Sequence, residues 1–317
     1  MRVFAFLFTC AFLAGNSIAQ QFPSKPVRIV IPFSPGGSAD LQARALGQKL
    51  GDTWGQTVLV EAKPGAGTTI GAAYAAAQPA DGYTLYFAGA SLLISSSLYK
   101  NLSYDPVKSF APVSMVADSP YMLAVNPAVP AQTLKELIDL ARAKPKTITY
   151  ASAGNGSGSH LAGELFRMLT GTDLVHVPYK GQAPALIALV GGEVNMLFAD
   201  VAVNPLLQAG KLRALAETSG KRSAVFPNVP TIGEAGLRGY VMTNWGAILV
   251  PAATPRPLVL QLNAAIVNAL KDPEVRARFA SQGFEAGGST PEAVGKLLVD
   301  EQVKYARVIK ESGMKIE

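Results

Sequence analysis

The run Val27-Arg28-Ile29-Val30-Ile31-Pro32-Phe33 is almost continuously apolar and shows no alternation of apolar and polar residues. A strand with one wet face alternates. A strand that does not alternate is covered on both faces, as in a parallel sheet clad by helices. The following residues supply that cladding. A helical pattern runs from Ser38 to about Leu50, then come Val58-Leu59-Val60 and a glycine-rich turn at Pro64-Gly65-Ala66-Gly67. A second helix is predicted through Ala72 to Ala77 and a strand over Tyr83-Thr84-Leu85-Tyr86-Phe87. This βαβαβ order predicts a parallel sheet flanked by helices.

The pattern restarts after a break. Leu123 to Val125 read as a strand, and Thr133 to Ala143 as a helix with Thr133 as N-cap and Glu136 three residues on. Ile148-Thr149-Tyr150 is the next strand. After it a helix sets Leu161, Leu165, Met168 and Leu169 on one face, a spacing that predicts a buried stripe. Further strands are predicted at Leu174 to Val177, Met196 to Phe198, Leu212 to Leu215 and Ala247 to Val250, and a helix around Val259, Leu262 and Ile266. Two α/β units in one chain imply two lobes with a cleft between them. Ligands of open parallel sheets sit outside the carboxyl ends of the strands.

Arg2, the apolar run Val3 to Ala14 and the small residues Ser17 and Ala19 form a secretory leader, with cleavage expected after Ala19. The run is shorter than the ~20 residues of a membrane span. Export to the periplasm follows. Cys10 is the only cysteine and lies inside the leader. The mature chain therefore has no disulfide, no thiol nucleophile and no thiolate metal site. The formal charge of +6 is scattered over the chain, with no stripe or arm of the kind that binds nucleic acid. A mild positive charge suits a small anionic ligand and ordinary solubility equally well.

Two glycine-rich loops each follow a predicted strand and open onto a helix. The first is Phe33-Ser34-Pro35-Gly36-Gly37-Ser38-Ala39-Asp40, in which Ser38 is a potential cap and Asp40 a first-turn acid. The second is Ala151-Ser152-Ala153-Gly154-Asn155-Gly156-Ser157-Gly158-Ser159-His160. Helix N-termini present free N–H groups that bind a carboxylate without a cationic side chain. A tight turn that binds nothing is the plainer reading of either loop alone. Paired loops in corresponding places suit a dicarboxylate, or a carboxylate with a second polar end.

Rival motifs are missing. The second loop is G-x-G-x-G rather than G-x-G-x-x-G, no serine sits in G-x-S-x-G, and there is no P-loop. His160 and His176 are the only histidines and lie far apart in sequence, which argues against a histidine metal site. His176 reads as a packed strand residue. His160 reads as either cleft-lining or capping.

The segments Ile29 to Gly37, Glu61-Ala62-Lys63-Pro64-Gly65-Ala66-Gly67, Asp81-Gly82-Tyr83-Thr84-Leu85, His176 to Gly181 and Pro251-Ala252-Ala253-Thr254-Pro255 resemble those of the Bug-type receptors. These are the extracytoplasmic solute-binding components of tripartite tricarboxylate transporters. The likeness runs through essentially the whole mature chain. It implies an α/β, periplasmic-binding-protein-like fold of the Venus-flytrap type, with two lobes, a central cleft and two hinge crossings. Expected boundaries are 1–19 for the leader, 20–122 with 247–317 for lobe 1, and 123–246 for lobe 2. The hinges are expected near Pro120 to Asn126 and Tyr240 to Pro251. By resemblance the ligand site comprises Phe33, Ser34, Gly37, Ser38, Ala39 and Asp40, then Ser152, Gly154, Gly156, Ser157 and His160. Ser91, Tyr179, Lys180 and Asp200 complete it; Asp200 could meet an amino group or serve as a buried structural acid. No cofactor, metal or catalytic residue is implied. The implied partners are a small carboxylate and membrane permease subunits, with the receptor itself a monomer.

The sequence departs from the family at Gln182 and at Ser91-Leu92-Leu93, where many members carry Ser/Thr-His. That change predicts a more apolar cleft wall and a hydrophobic or aromatic acid as ligand. Two rival functions share the scaffold: a ligand-sensing partner of a membrane signalling receptor, and an enzyme. The second lacks a thiol, a nucleophile elbow and histidines.

Overall fold

A computed structural model describes residues 22–222 and 226–314 of the chain. The predicted leader and its cleavage site lie outside the described residues. The first unit runs β1 (Val27–Ile31), α1 (Ser38–Trp54), β2 (Val58–Ala62), α2 (Thr69–Ala76), β3 (Thr84–Gly89), α3 (Ala90–Leu98) and β4 (Phe110–Pro120). β1 pairs in parallel with both β2 and β3, as its unbroken apolar sequence requires. Successive side chains leave opposite faces. Val27, Ile29 and Ile31 enter one core with Leu46 and Leu50 of α1, and Val30 enters another. All five strand residues but Arg28 are fully buried. Each such aliphatic side chain contributes about 1.5–3 kcal/mol. α1 stops at Gly55, whose left-handed backbone (φ 63°) lets its N–H close back onto Gly51.

The chain then crosses into a second sheet. Its elements are β5 (Met122–Val125), α4 (Leu134–Ala143), β6 (Thr149–Ser152), α5 (Gly158–Thr170), β7 (Val175–Pro178), α6 (Gln182–Gly191), β8 (Met196–Ala199), α7 (Asn204–Gln208) and β9 (Arg213–Glu217). The sheet order is β7-β6-β8-β5-β9. Thr133 caps α4 as predicted, accepting the Glu136 N–H at 3.2 Å, and the Glu136 carboxylate reaches back to the N–H of Gln132 at 2.6 Å. The stripe predicted on α5 holds for Leu161, Leu165 and the partly buried Met168 but not for Leu169. Leu161, Ala162, Leu165 and Phe166 are buried, whereas Leu169 is 39% exposed. The cause is Gly163: a Cβ there would lie 2.2 Å from the Tyr150 ring, so the helix rides on β6 along that side and Leu169 turns outward.

The return passage adds β10 (Thr243–Pro251), α8 (Arg256–Lys271), α9 (Pro273–Ser281), β11 (Glu285–Ala286) and α10 (Pro291–Ser312). The first sheet then reads β11-β4-β10-β3-β1-β2. The parallel pairing predicted from the βαβαβ order holds for β1, β2 and β3, and the later strands extend the sheet with antiparallel pairs. β10 runs antiparallel to β3 and β4, because a strand coming back from the second sheet enters at the carboxyl edge of β3. α10 carries Leu298, Tyr305 and Ile309 into a core that also contains Leu161 of α5 and Tyr86 of β3, tying the two units together.

Candidate functional site

Strand register fixes where the two sheets face each other. Gly89, at the carboxyl end of β3, pairs with Gly246, which pairs with Ala117 of β4. Three residues further on, β4 ends at Pro120, opposite Thr243. After Tyr121, β5 opens with Met122 opposite Ala199, the carboxyl end of β8, and opposite Glu217 of β9. β8 is parallel to β6, and β6 to β7. The carboxyl edges of both parallel segments thus meet across the crossing strands. Thr218 knits that crossing: Tyr121 N–H donates to its Oγ1 (2.8 Å), its own N–H donates to the Tyr121 carbonyl (3.0 Å), and Met242 N–H donates to its carbonyl (3.0 Å).

Every residue of the predicted site falls on these edges. Phe33 to Asp40 follow β1, and Ser91 lies in the first turn of α3. Ser152 to His160 join β6 to α5, Tyr179 and Lys180 follow β7, and Asp200 follows β8. The second glycine loop touches the opposite lobe and its connection. A Cβ on Gly156 would meet Leu98 of α3 at 3.3 Å, and one on Gly158 would meet the Tyr121 hydroxyl at 2.1 Å. The seam is also closed where Val201 packs on Gly283.

The first loop departs from expectation at its cap. Ser38 does not cap α1; Gly37, in extended backbone, occupies the N-cap position without a side-chain bond, and Ser38 is the first helical residue. Helical bonding begins with Leu41 N–H on the Gly37 carbonyl (3.1 Å), so Ser38, Ala39 and Asp40 have no helix carbonyl to donate to. Asp40 is turned inward and 4% exposed, accepting Gly36 N–H (2.9 Å) and Arg44 Nε (3.0 Å). Burial pushes its carboxyl up, but the bonds from Arg44 and Gly36 outweigh this and hold it below the ordinary carboxylate range.

The second loop spends its polar side chains on itself. Ser152 is fully buried, with Oγ 2.7 Å from His176 Nε2 and accepting Gly154 N–H at 3.1 Å. Gly156 N–H donates to His160 Nδ1 (3.2 Å). Ser157 caps α5 by accepting His160 N–H (3.2 Å), and Ser159 Oγ accepts Ala153 N–H (2.9 Å). Tyr179 and Gly181 brace the loop through the carbonyls of Ser152 and Ala153 (3.0 and 3.1 Å). Lys180 is exposed and Tyr179 half-buried. Asp200 accepts Ala202 N–H (3.0 Å), and burial pushes its carboxyl up to about 6.

Three features lay beyond the sequence reading. His160 and His176, separated in sequence, stack with ring centroids 3.8 Å apart and 6° between planes. Tyr121 and Thr218 sit at the crossing. Leu92 and Leu93 are buried in the core that joins the lobes, so they form no exposed apolar wall and give the cleft no preference for a hydrophobic acid. A groove of ≈ 510 Å³ between α3, residues 99–106 and α10 is separate from the site. Among the described residues no cluster of three or more His, Cys, Asp or Glu is arranged to hold a metal, and no helix is long and apolar enough to cross a membrane.

The family model of the tripartite tricarboxylate transporter family receptor, TctC, matches residues 42–314. The chain belongs to this family. BugT of Bordetella pertussis is 36% identical to the receptor over 320 residues, spanning 100% of this chain and 98% of BugT. Among solved structures, Rpa4515 of R. palustris with adipate superposes with a TM-score of 0.85 at 34% identity, covering 93% of this chain and 99% of that one. MatC of Rhodopseudomonas palustris with bound malate gives 0.81 at 33%, covering 91% and 100%. The fold is that of the two-lobed periplasmic solute-binding proteins, and the receptor is a solute-binding component of the tripartite tricarboxylate type.

Proposed function

We propose that this receptor works in the periplasm, as a monomer, capturing a small carboxylate and delivering it to the membrane permease subunits of a tripartite transporter. The observation that carries the reading is the pair of helix N-termini, α1 and α5, set at facing carboxyl edges. Two such termini suit a ligand with an anion at each end. Similar structures that hold adipate and malate, both dicarboxylates, support the same class. The first-loop residues Phe33, Ser34, Gly37, Ser38 and Ala39 take one end, and the α5 terminus takes the other. Asp200 and Tyr179 stand beside the latter. Lobe 1 (20–122 with 247–317) and lobe 2 (123–246) close by hinging at the crossings around Tyr121 and Met242.

A thermal-shift screen of ligand-stripped mature protein against mono-, di-, tri- and aromatic carboxylates tests this. A ligand of the folded state present at 100 times its Kd adds about 2.7 kcal/mol of stability and raises Tm by several degrees. A response confined to dicarboxylates is expected. Folded, stripped protein that no carboxylate stabilises would refute the reading.

A further inference from the structure

We propose that His160 and His176 are positioning residues of the ligand site: a stacked pair of neutral imidazoles with opposite tautomers that fixes which N–H groups of the second loop face the ligand. The inference rests on the proposed carboxylate site and deepens it.

The tautomers follow from the hydrogen bonds. Gly156 N–H donates to His160 Nδ1 (3.2 Å), so that nitrogen carries no proton and the ring proton sits on Nε2, facing Glu164 Oε1 at 4.0 Å. Ser152 Oγ accepts Gly154 N–H (3.1 Å) and lies 2.7 Å from His176 Nε2. Fully buried, its hydroxyl has that nitrogen as its acceptor, which puts the His176 proton on Nδ1. A proton added to His160 Nδ1 would confront an N–H donor, and two imidazolium rings 3.8 Å apart would repel. The surroundings agree. Tyr150 stacks on His176 with centroids 4.8 Å apart and donates its hydroxyl proton to Glu164. Glu164 is in turn neutralised by Arg167 Nη1 at 2.7 and 2.9 Å. Burial, then His176 and Arg167, hold His160 down to about 3; burial, then Arg167, hold His176 down to about 4.

The consequence is a selection among loop donors. Gly154 and Gly156 point their N–H groups inward, to Ser152 and His160. Ser157 N–H is taken by the Gly154 carbonyl, and helical bonding starts with Leu161 N–H on Ser157. Of the N–H groups in the first turn of α5, those of Gly158 and Ser159 are left as donors offered to a carboxylate. Fixing the loop before the ligand arrives removes an ordering cost from binding.

With only two histidines, ring-nitrogen NMR of the mature chain labelled in histidine yields two spin systems. At pH 7 without ligand, the expected result is His160 protonated on Nε2 and His176 on Nδ1. His160→Phe keeps a stacked ring but no acceptor, and Gly156 amide exchange should rise about tenfold, as expected for one lost hydrogen bond. His160→Asn restores an acceptor near the Nδ1 position and should restore protection. Adipate or malate should then shift the Gly158 and Ser159 amides without changing either tautomer. Wild-type protein that binds neither diacid would refute the proposed function, a result read separately from the ligand-free spectra. Like tautomers on both rings, a charged ring at pH 7, or Gly156 exchange indifferent to His160→Phe would overturn the pair's role.

Discussion

Replacing Gly158 by alanine should disturb both the fold and the site, and a second substitution should repair both. The added Cβ would stand 2.1 Å from the Tyr121 hydroxyl oxygen and 3.1 Å from Cζ. An ordinary carbon–oxygen contact is over 1 Å longer. Tyr121 cannot retreat easily, because its N–H and carbonyl are both bonded to Thr218 at the lobe crossing (2.8 and 3.0 Å). The start of α5 must move instead. Overpacking of this kind costs about 1–3 kcal/mol, offset by at most ~1 kcal/mol of gained helix propensity. The net loss is about 1–2 kcal/mol, which lowers Tm by roughly 2–3 °C in a chain of this size. Because the displaced turn carries the N–H groups of Gly158 and Ser159, affinity for the bound acid should fall at least about tenfold.

Tyr121→Phe removes the clashing oxygen and leaves ring carbon as the closest contact, at 3.1 Å, which a shift of a few tenths of an ångström accommodates. In a double-mutant cycle followed by thermal denaturation and titration calorimetry, the pair should recover at least ~1 kcal/mol relative to additivity. Strict additivity, or a Gly158→Ala protein with wild-type Tm and affinity, would refute the claim that the crossing tyrosine sets the position of the second loop.

Ser38→Asp places a negative charge on the first residue of α1, where the helix dipole favours it. Tm should stay level or rise while carboxylate affinity falls at least about tenfold; retained affinity would remove that terminus from the site. Gly283→Val should weaken binding and block the ligand-induced contraction seen by small-angle scattering. Its branched side chain would sit at φ 82° with Cβ only 2.5 Å from Asn204 Nδ2 and 2.9 Å from Val201 Cβ. Wild-type contraction would show that this seam does not govern closure. Asp200→Asn reports on pH. The Asp200 carboxyl is raised from 3.8 to about 6 in the fold, so its burial costs nothing near pH 3.5 and stability is lost as pH climbs through 6. The asparagine variant should match wild type at low pH and exceed it by up to about 3 kcal/mol at pH 7.5. An equal difference at both pH values would contradict the burial argument.

The sequence disclosed strands and the loops after them, because period and turn chemistry are local. The unbroken run Val27 to Ile31 announced its own two-sided burial, and Thr133 with Glu136 announced the start of α4. What could not be read was pairing. Nothing local to Ala247 to Val250 says that the strand returns antiparallel; that follows from the chain having left for another sheet. Likewise His160 and His176 meet because β6 and β7 lie side by side, with Tyr150 opposite His176, a long-range register that leaves no trace in spacing. Leu92 and Leu93 misled for the opposite reason. Their position after β3 suggested the cleft, but α3 turns them into the core shared by both lobes.

The division of labour within the loops explains why ligand identity is the least legible property of this chain. Asp40 is held by Gly36 and Arg44, Ser152 by Gly154 and His176, and His160 by Gly156. The side chains that looked like ligand contacts therefore shape backbone, and on the proposed reading it is the backbone N–H groups of two helix termini that meet the acid. Backbone donors recognise a carboxylate wherever the loop is held in shape, whatever the side chains are. They fix the ligand's class and the separation of its charged ends. On the same proposal its middle is judged by the half-exposed residues around them, Phe33, Ser91 and Tyr179. Exchanging those three should change which diacid binds while leaving both termini, and the preference for carboxylates, in place. A screen of chain length and substitution against such variants reads that separation directly, and a variant that switched to an uncharged ligand would refute it.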